Sequence, residues 1–449
     1  MGIENRIHSM GSRGDCIMDI KPVKKNILVK GPVFSRSGYG EQCRFALRAL
    51  RSRQDLFNIY INPINWGASS WQHEETEERR WLDERVQDTN ELLQDPMKRK
   101  FSIFDIALQV TIPNEWSKIG AINIGYTAGI ETTNVAPAWI EKSREMDHII
   151  TISEHSKNVY KNTIYTGKNP QTGHDTGDIR CTTPITVVHY PVRQLKQEKI
   201  DLELDYDFNF LTVAQWGPRK NLTNTIKWFV EEFYDQEVGL VVKTFQANNS
   251  IPDKFNCKIQ LERILSEYKD RKCKVYMIHG TMTDEEINAL YQSPKIKSYV
   301  TLTHGEGFGL PIFEAAYNGL PVIAPNWSGH LDYLYMPEKN KKGRRHKMKP
   351  KFSRVDFDIV QVPPEVVWKD VIIPECGWSQ AQQGSYKMQL RNVYKNFNKC
   401  KKDAKQLQTW ILENFSEEKK YAEFVEAVLQ ESAYDIHSQE DDGFSFQVV

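Results

Sequence analysis

Short apolar runs separated by amphipathic stretches recur along almost the whole chain. NILVKG (26–31), FNIYINPI (57–64), IFDIALQV (103–110), INIGYT (122–127), DHIITIS (147–153) and ITVVHYPV (185–192) read as buried strands. Helical patterns lie between several of them, among them EQCRFALRALRS, EETEERRWLDERVQDTNELLQ and PAWIEKSREM. A second series follows the charged connector RQLKQEKIDLELDYD: FNFLTVAQW, EVGLVVKTF, CKVYMIHG, KSYVTLTHG and LPVIAP, again with helices between the strands. Strands that alternate with helices pair in parallel, because each crossover returns the chain to the same end of the sheet. The stretch TGKNPQTGHDTGDIRCTT (166–183) is polar and glycine-rich and reads as a surface loop. From Ser385 to Gln430 the pattern predicts two long amphipathic helices.

With 449 residues the chain exceeds the size at which one hydrophobic core keeps growing. The expected architecture is α/β, two Rossmann-like doubly wound domains facing each other, with C-terminal helices across them. The expected divisions are a flexible leader (1–24), an N-terminal domain (25–195), a C-terminal domain (196–380), C-terminal helices (381–432) and an acidic tail (433–449). Lys plus Arg equals Asp plus Glu at 59 each, so a nucleic acid or membrane surface would have to be held by a local patch. Seven cysteines without a C-x-x-C pair suit reduced thiols better than a disulfide framework. The absence of a long apolar run and of a signal-peptide core predicts a cytoplasmic protein with no transmembrane segment.

The chemistry concentrates in THGEGFGLPIFEAAYNG (303–319), which reads as a loop opening a helix. Pro311 suits a first helical position and Gly319 a helix end. Glu306 then stands in the loop and Glu314 about one turn inside the helix, both at the crevice outside the carboxyl ends of the strands. Two readings fit. One is a tight turn with a capping carboxylate. The other is a nucleotide-sugar site, in which glycines and free helix N–H groups receive phosphate and each carboxylate accepts two vicinal hydroxyls.

EGFGLPIFEAAYNGLPVIAPNWSG resembles the E-x7-E block of the GT-B nucleotide-sugar glycosyltransferases, specifically the retaining family 4 type, and among these the bacteriophage-encoded members. FLTVAQWGPRKNLTNTIKWF is similar to that family's phosphate-binding strand and turn, TMTDEEINALYQSP to the helix before the block, and ITISEHSKNVY to the end of its first domain. The resemblance implies transfer of a hexose, glucose first among the candidates, from a UDP- or GDP-linked sugar to a hydroxyl, without a metal or other cofactor. It implies that Glu306 contacts the donor sugar and Glu314 the ribose, and that Gly307, Phe308, Gly309 and Leu310 hold sugar and phosphate through their N–H groups. Gly280 and Thr281 would also lie on the donor side. Arg219 and Lys220 would neutralise the departing diphosphate; Gln215 stands where many relatives carry an arginine. In the first domain, Gly38, Tyr39 and Gly40 of SRSGYG match the glycine loop facing the diphosphate, or form an ordinary strand–helix turn. Glu131 and Thr132 stand at the expected acceptor face, where loop architecture is the alternative. The cytoplasm would be the host's if the chain is phage-encoded.

DYD (205–207) and DFD (356–358) look like a metal-holding D-x-D, but both precede strands and so fall at the end away from the crevice. The eleven histidines show no ligand spacing, so no metal site is expected. The run 339–354 holds nine basic residues and no acid: a solvated loop, or a patch for a polyanion such as DNA. Glycan, lipid-linked sugar, protein and a hydroxylated DNA base all remain open as acceptors. Two rival functions stand beside the transferase. A glycoside hydrolase would use the carboxylates but leaves the phosphate-suited glycines and the RK pair unexplained. A catalytically silent nucleotide-sugar-binding module would leave Arg219, Lys220 and the E-x7-E pair without a task.

Overall fold

The computed structural model describes residues 23–67, 69–95, 97, 104–168, 174–339 and 346–430. The leader and the acidic tail expected from the sequence therefore lie almost wholly outside the described residues. The first half comprises β1 (Lys25–Gly31), α1 (Gly38–Arg51), β2 (Phe57–Pro63), α2 (Glu77–Gln94), β3 (Ile106–Val110), β4 (Ile122–Thr127), α3 (Pro137–Ser143), β5 (His148–Thr151), α4 (Glu154–Asn162), β6 (Tyr165–Lys168), β7 (Asp175–Ile179) and β8 (Ile185–Val187). Six of these strands form a parallel sheet in the order β2-β1-β3-β4-β5-β8. The helix α1 follows directly from the sequence: Ser37 caps it by accepting from the Gly40 N–H, and Cys43, Phe45, Ala46, Leu47, Ala49 and Leu50 bury one face.

The second half comprises β9 (Asn209–Gln215), α5 (Leu222–Glu232), β10 (Gly239–Phe245), α6 (Ile251–Leu265), β11 (Lys274–Ile278), α7 (Asp284–Gln292), β12 (Ile296–Val300), α8 (Leu310–Tyr317) and β13 (Val322–Pro325). Next come α9 (Leu331–Leu334), β14 (Tyr335–Lys339), β15 (His346–Pro350), β16 (Ser353–Val355), β17 (Phe357–Gln361), β18 (Gly377–Ala381), α10 (Gln383–Lys395), α11 (Phe397–Asn414) and α12 (Glu417–Leu429). The second parallel sheet runs β11-β10-β9-β12-β13-β16. Strand order reverses between β9 and β12, and a crevice opens at that point. The α/β expectation of two Rossmann-like sheets holds.

Four features differ from the sequence reading. The run 339–354, read as a solvated loop or a polyanion patch, contributes β15 and, as β16, an edge strand of the second parallel sheet. The polar loop 166–183 contains the antiparallel pair β6–β7. The C-terminal segment forms three helices, with breaks at Asn396 and around Phe415. An insertion after β13 adds two antiparallel ribbons, β14–β15 and β17–β18, that the apolar pattern did not separate. The last helices tie the halves together. On α12, Phe424 packs against Phe45 of α1 and Tyr126 of β4, centroids 5.2 Å apart in both cases. From α11, Gln408 donates to the Tyr317 carbonyl (2.8 Å) and Lys401 to that of Gly319 (2.9 Å), satisfying carbonyls at the end of α8. Among the described residues no helix is long and apolar enough to cross a membrane.

Candidate active site

A cleft of ≈ 690 Å³ opens between the carboxyl ends of the two sheets. The first domain supplies the turns after β1 (Arg36 to Tyr39), β2 (Trp66, Gly67, Ser69), β4 (Ala128, Gly129, Glu131) and β8 (Tyr190, Pro191, Arg193). The second supplies Arg219 and Lys220 after β9, Gly280 and Thr281 after β11, and Glu306 to Leu310 after β12. The last and first of these loops are joined at the strand-order reversal, where the His304 N–H donates to the Arg219 carbonyl (2.8 Å).

Charge is tightly balanced at that junction. Lys220 Nζ donates to Glu306 Oε1 at 2.5 Å. Arg219 reaches Glu306 Oε2 at 3.3 Å, Glu131 Oε1 at 3.0 Å and the Gly305 carbonyl at 2.7 Å. Burial alone would raise the Glu306 carboxyl, but Lys220 and Arg219 outweigh it and hold it at about 2. Glu131 is raised, by burial and by Glu306, against the pull of Arg219. Glu314 differs. It lines the cleft from α8, and Tyr291 donates to its Oε2 at 3.0 Å. Burial pushes its carboxyl to about 8, with no lysine or arginine in direct contact among the described residues.

The structure brings Gly38, Tyr39, Glu131, Arg219, Lys220, Gly280, Thr281, Glu306, Gly307, Phe308, Gly309, Leu310 and Glu314 to the cleft. It does not bring Gly40 or Thr132. A Cβ on Gly40 would lie 1.9 Å from the Ser35 carbonyl oxygen, so this glycine packs α1 against its own approach loop. Thr132 is buried and its hydroxyl donates to the Asn134 carbonyl (2.8 Å). The glycines of the 305–309 loop also divide their tasks. Gly309 takes φ +86° at the start of α8. Gly305 and Gly307 instead face the first domain: a Cβ there would meet the Glu131 carbonyl oxygen at 2.1 Å and the Ala128 carbonyl oxygen at 1.9 Å. Their missing side chains admit the opposite wall.

Sequence reasoning missed several cleft residues. Lys243, inside β10, donates to the Gly280 carbonyl (2.6 Å), and burial lowers its ammonium to about 8. Its signal was a lysine inside an otherwise apolar strand. Arg193 pairs with Asp284 across the two halves, and Trp66 packs on Tyr39 with centroids 4.4 Å apart and the rings tilted by 36°. Gln215 lines the cleft but spends its amide on the Gln246 carbonyl (2.8 Å), which leaves Arg219 as the second cation beside Lys220.

Asp253, Cys257 and His279 place ligand-capable atoms within 4.8 Å of one another. The Asp253 carboxylate, however, already accepts from the N–H groups of Gln246, Ala247 and Asn249, and burial raises the Cys257 thiol to about 11. The trio anchors a loop, and its donors are poorly disposed to a cation. Of the basic run 339–354, residues 340–345 lie outside the described residues. Within the described part, Lys349 and Lys351 both pair with Glu338 (2.6 and 2.5 Å).

No protein-family model matches the chain, and no curated protein matches it by sequence. Solved structures do match by shape. Sucrose-phosphate synthase from Thermosynechococcus elongatus superposes with a TM-score of 0.57 at 12% identity, over 92% of this chain and 100% of that one. HepE from Anabaena, solved in complex with UDP and glucose, gives 0.55 at 12% identity over 90% and 100%. A glycosyltransferase from Rickettsia africae gives 0.55 at 12% identity over 91% and 99%. These likenesses establish the fold as the two-domain GT-B architecture.

Proposed function

We propose that the protein is a retaining glycosyltransferase that moves a hexose from a nucleoside diphosphate sugar to a hydroxyl acceptor. The observation that carries this reading is the convergence of Glu306, Arg219, Lys220 and Glu314 on one cleft at the strand-order reversal, beside the first turn of α8. HepE, which shares the fold, was solved with UDP and glucose. In this reading Glu314 accepts the ribose hydroxyls and Glu306 those of the hexose. The N–H groups from Gly307 to Leu310 receive sugar and phosphate. Lys220 spends one of its three N–H groups on Glu306, which leaves donors for the diphosphate.

The bond from the anomeric carbon to the diphosphate oxygen breaks, and the acceptor oxygen bonds that carbon on the same face. The acceptor proton passes to the departing phosphate oxygen, so the step needs no general base from the chain. Lys220 and Arg219 stabilise charge that grows as the bond breaks, the part of the reaction where preorganised cations count most, and a divalent metal is not required.

Thermal shift against UDP, GDP, ADP, UDP-glucose and GDP-mannose tests the reading. A ligand at ~100 times its dissociation constant stabilises by roughly 2.7 kcal/mol. A folded protein that responds to none of the five would refute it.

A further inference from the structure

The proposed donor contacts lie on the second-domain wall of the cleft; on the first-domain wall the resemblance assigns Gly38 and Tyr39 to the diphosphate, but the surroundings of Tyr39 argue for another task. That wall is aromatic and hydrogen-bonding. Tyr39 is fixed by its hydroxyl, which lies 2.8 Å from Thr127 Oγ1 and accepts from the Gly129 N–H (3.1 Å). Trp66 lies over it and leaves a half-buried indole lining the cleft. Among the described residues its indole N–H has no hydrogen-bond partner. The wall adjoins the sugar end of the donor site, because Glu131 stands two residues beyond Gly129 and shares Arg219 with Glu306.

The charges of this wall are already neutralised. Arg36 pairs with Glu74 and Arg193 with Asp284. Arg44 and Arg48 both pair with Glu41, at 3.0 and 2.9 Å. With a carboxylate against each arginine this wall carries no excess positive charge along its length, and it offers an extended polyanion little counterion release. An aromatic face with uncharged donors and acceptors around it suits a sugar ring, whose C–H edge packs on the indole while its hydroxyls find polar partners.

We propose that Trp66 and Tyr39 form the acceptor subsite and that it takes a neutral pyranose ring, so the acceptor is a carbohydrate and not DNA. This rests on the transferase reading. The test uses the full-length protein with UDP-glucose and, separately, GDP-mannose as donor. Maltose, cellobiose, lactose and mannobiose are offered as acceptors, and hydroxymethylcytosine-containing duplex DNA is run in parallel. Nucleoside diphosphate release is the readout.

At least one saccharide should accelerate release saturably. Trp66→Ala should raise the KM for that saccharide about tenfold, the loss expected for one aromatic stacking contact, with a much smaller change in kcat. Trp66→Phe should restore most of the affinity. Acceleration by the DNA and by no saccharide overturns the proposal, as does an unchanged saccharide KM in Trp66→Ala. So does the absence of any acceleration when the diphosphate binds. Absence of diphosphate binding in the thermal-shift panel refutes the transferase reading itself, which separates the two failures.

Discussion

Glu306 and Glu314 are the same residue type in one cleft, yet their carboxyls sit near opposite ends of the accessible range. Glu306, gripped by Lys220 and Arg219, is ionised down to about pH 2; Glu314, buried against a tyrosine hydroxyl, holds its proton up to about pH 8. For Glu314 the raised value means that burial of the neutral carboxyl stabilises the fold fully below the ordinary glutamate range, and this stability is lost as pH rises through 8. Binding runs the other way. An ionised carboxylate is the better acceptor for ribose hydroxyls, so nucleotide-sugar affinity should climb with pH, by up to about tenfold per unit below 8, and level off above it. Calorimetric titration of the bound donor between pH 6.5 and 8.5 checks this, with Glu314→Gln expected to flatten the profile. Lys220 belongs to the reacting bond. Lys220→Ala should lower kcat by about a hundredfold or more while moving the donor dissociation constant much less. A raised KM at constant kcat would reassign it to ground-state binding.

At the scale of elements, α8 and every parallel strand but β16 were legible because each is a short apolar run closed by glycine, proline or a cap, all of them local signals; β16 is three residues, SRV, at the end of a basic run. Gly319 ends α8 at φ +72°, as its place in the sequence predicts. The ribbon β6–β7 was not legible, since YTGK and DTGDI are polar and stabilised by pairing rather than by burial. The division of the C-terminal helices was hidden too, because Asn396 breaks the pattern without a glycine or proline. The glycine loop was half legible. Its place in the site could be read, but the reason for Gly305 and Gly307 lies in carbonyls more than 170 residues earlier, a contact that no local pattern carries. Gly307→Ala therefore has a specific expected effect. The added methyl meets the Ala128 carbonyl and forces the walls apart, at a cost of about 1 to 3 kcal/mol. Donor binding, confined to one wall, should weaken less than threefold, while transfer falls by about two orders of magnitude because the reacting atoms no longer meet. Thermal melts and single-turnover rates measure the two effects.

Over the whole molecule, the order of the chain and the grouping of its parts disagree. The last helix returns to the first domain, where Phe424 is fully buried against Phe45 of α1 and Tyr126 of β4. Phe424→Ala should cost about 3 to 5 kcal/mol, visible as a lowered melting temperature of the first domain when the two transitions resolve. The basic segment predicts the reverse, an absence of effect. Replacing Lys341, Lys342, Arg344 and Arg345 with alanine should leave the saccharide KM and its salt dependence unchanged. A lost slope of about −0.9 per phosphate in log affinity against log salt would instead mark a nucleic-acid contact. The insertion after β13 crosses the cleft in the other direction. Gly377 donates to Thr133 Oγ1 (2.9 Å) and accepts from the Thr133 N–H (2.8 Å), and the Cys376 thiol lies 3.2 Å from the Asn134 carbonyl. Anyone grafting a foreign acceptor half onto this donor half at the single connector near residue 195 would sever neither of these returns. The chimera would keep a hairpin and a helix shaped for a partner that had gone. A working exchange has to transplant three segments together.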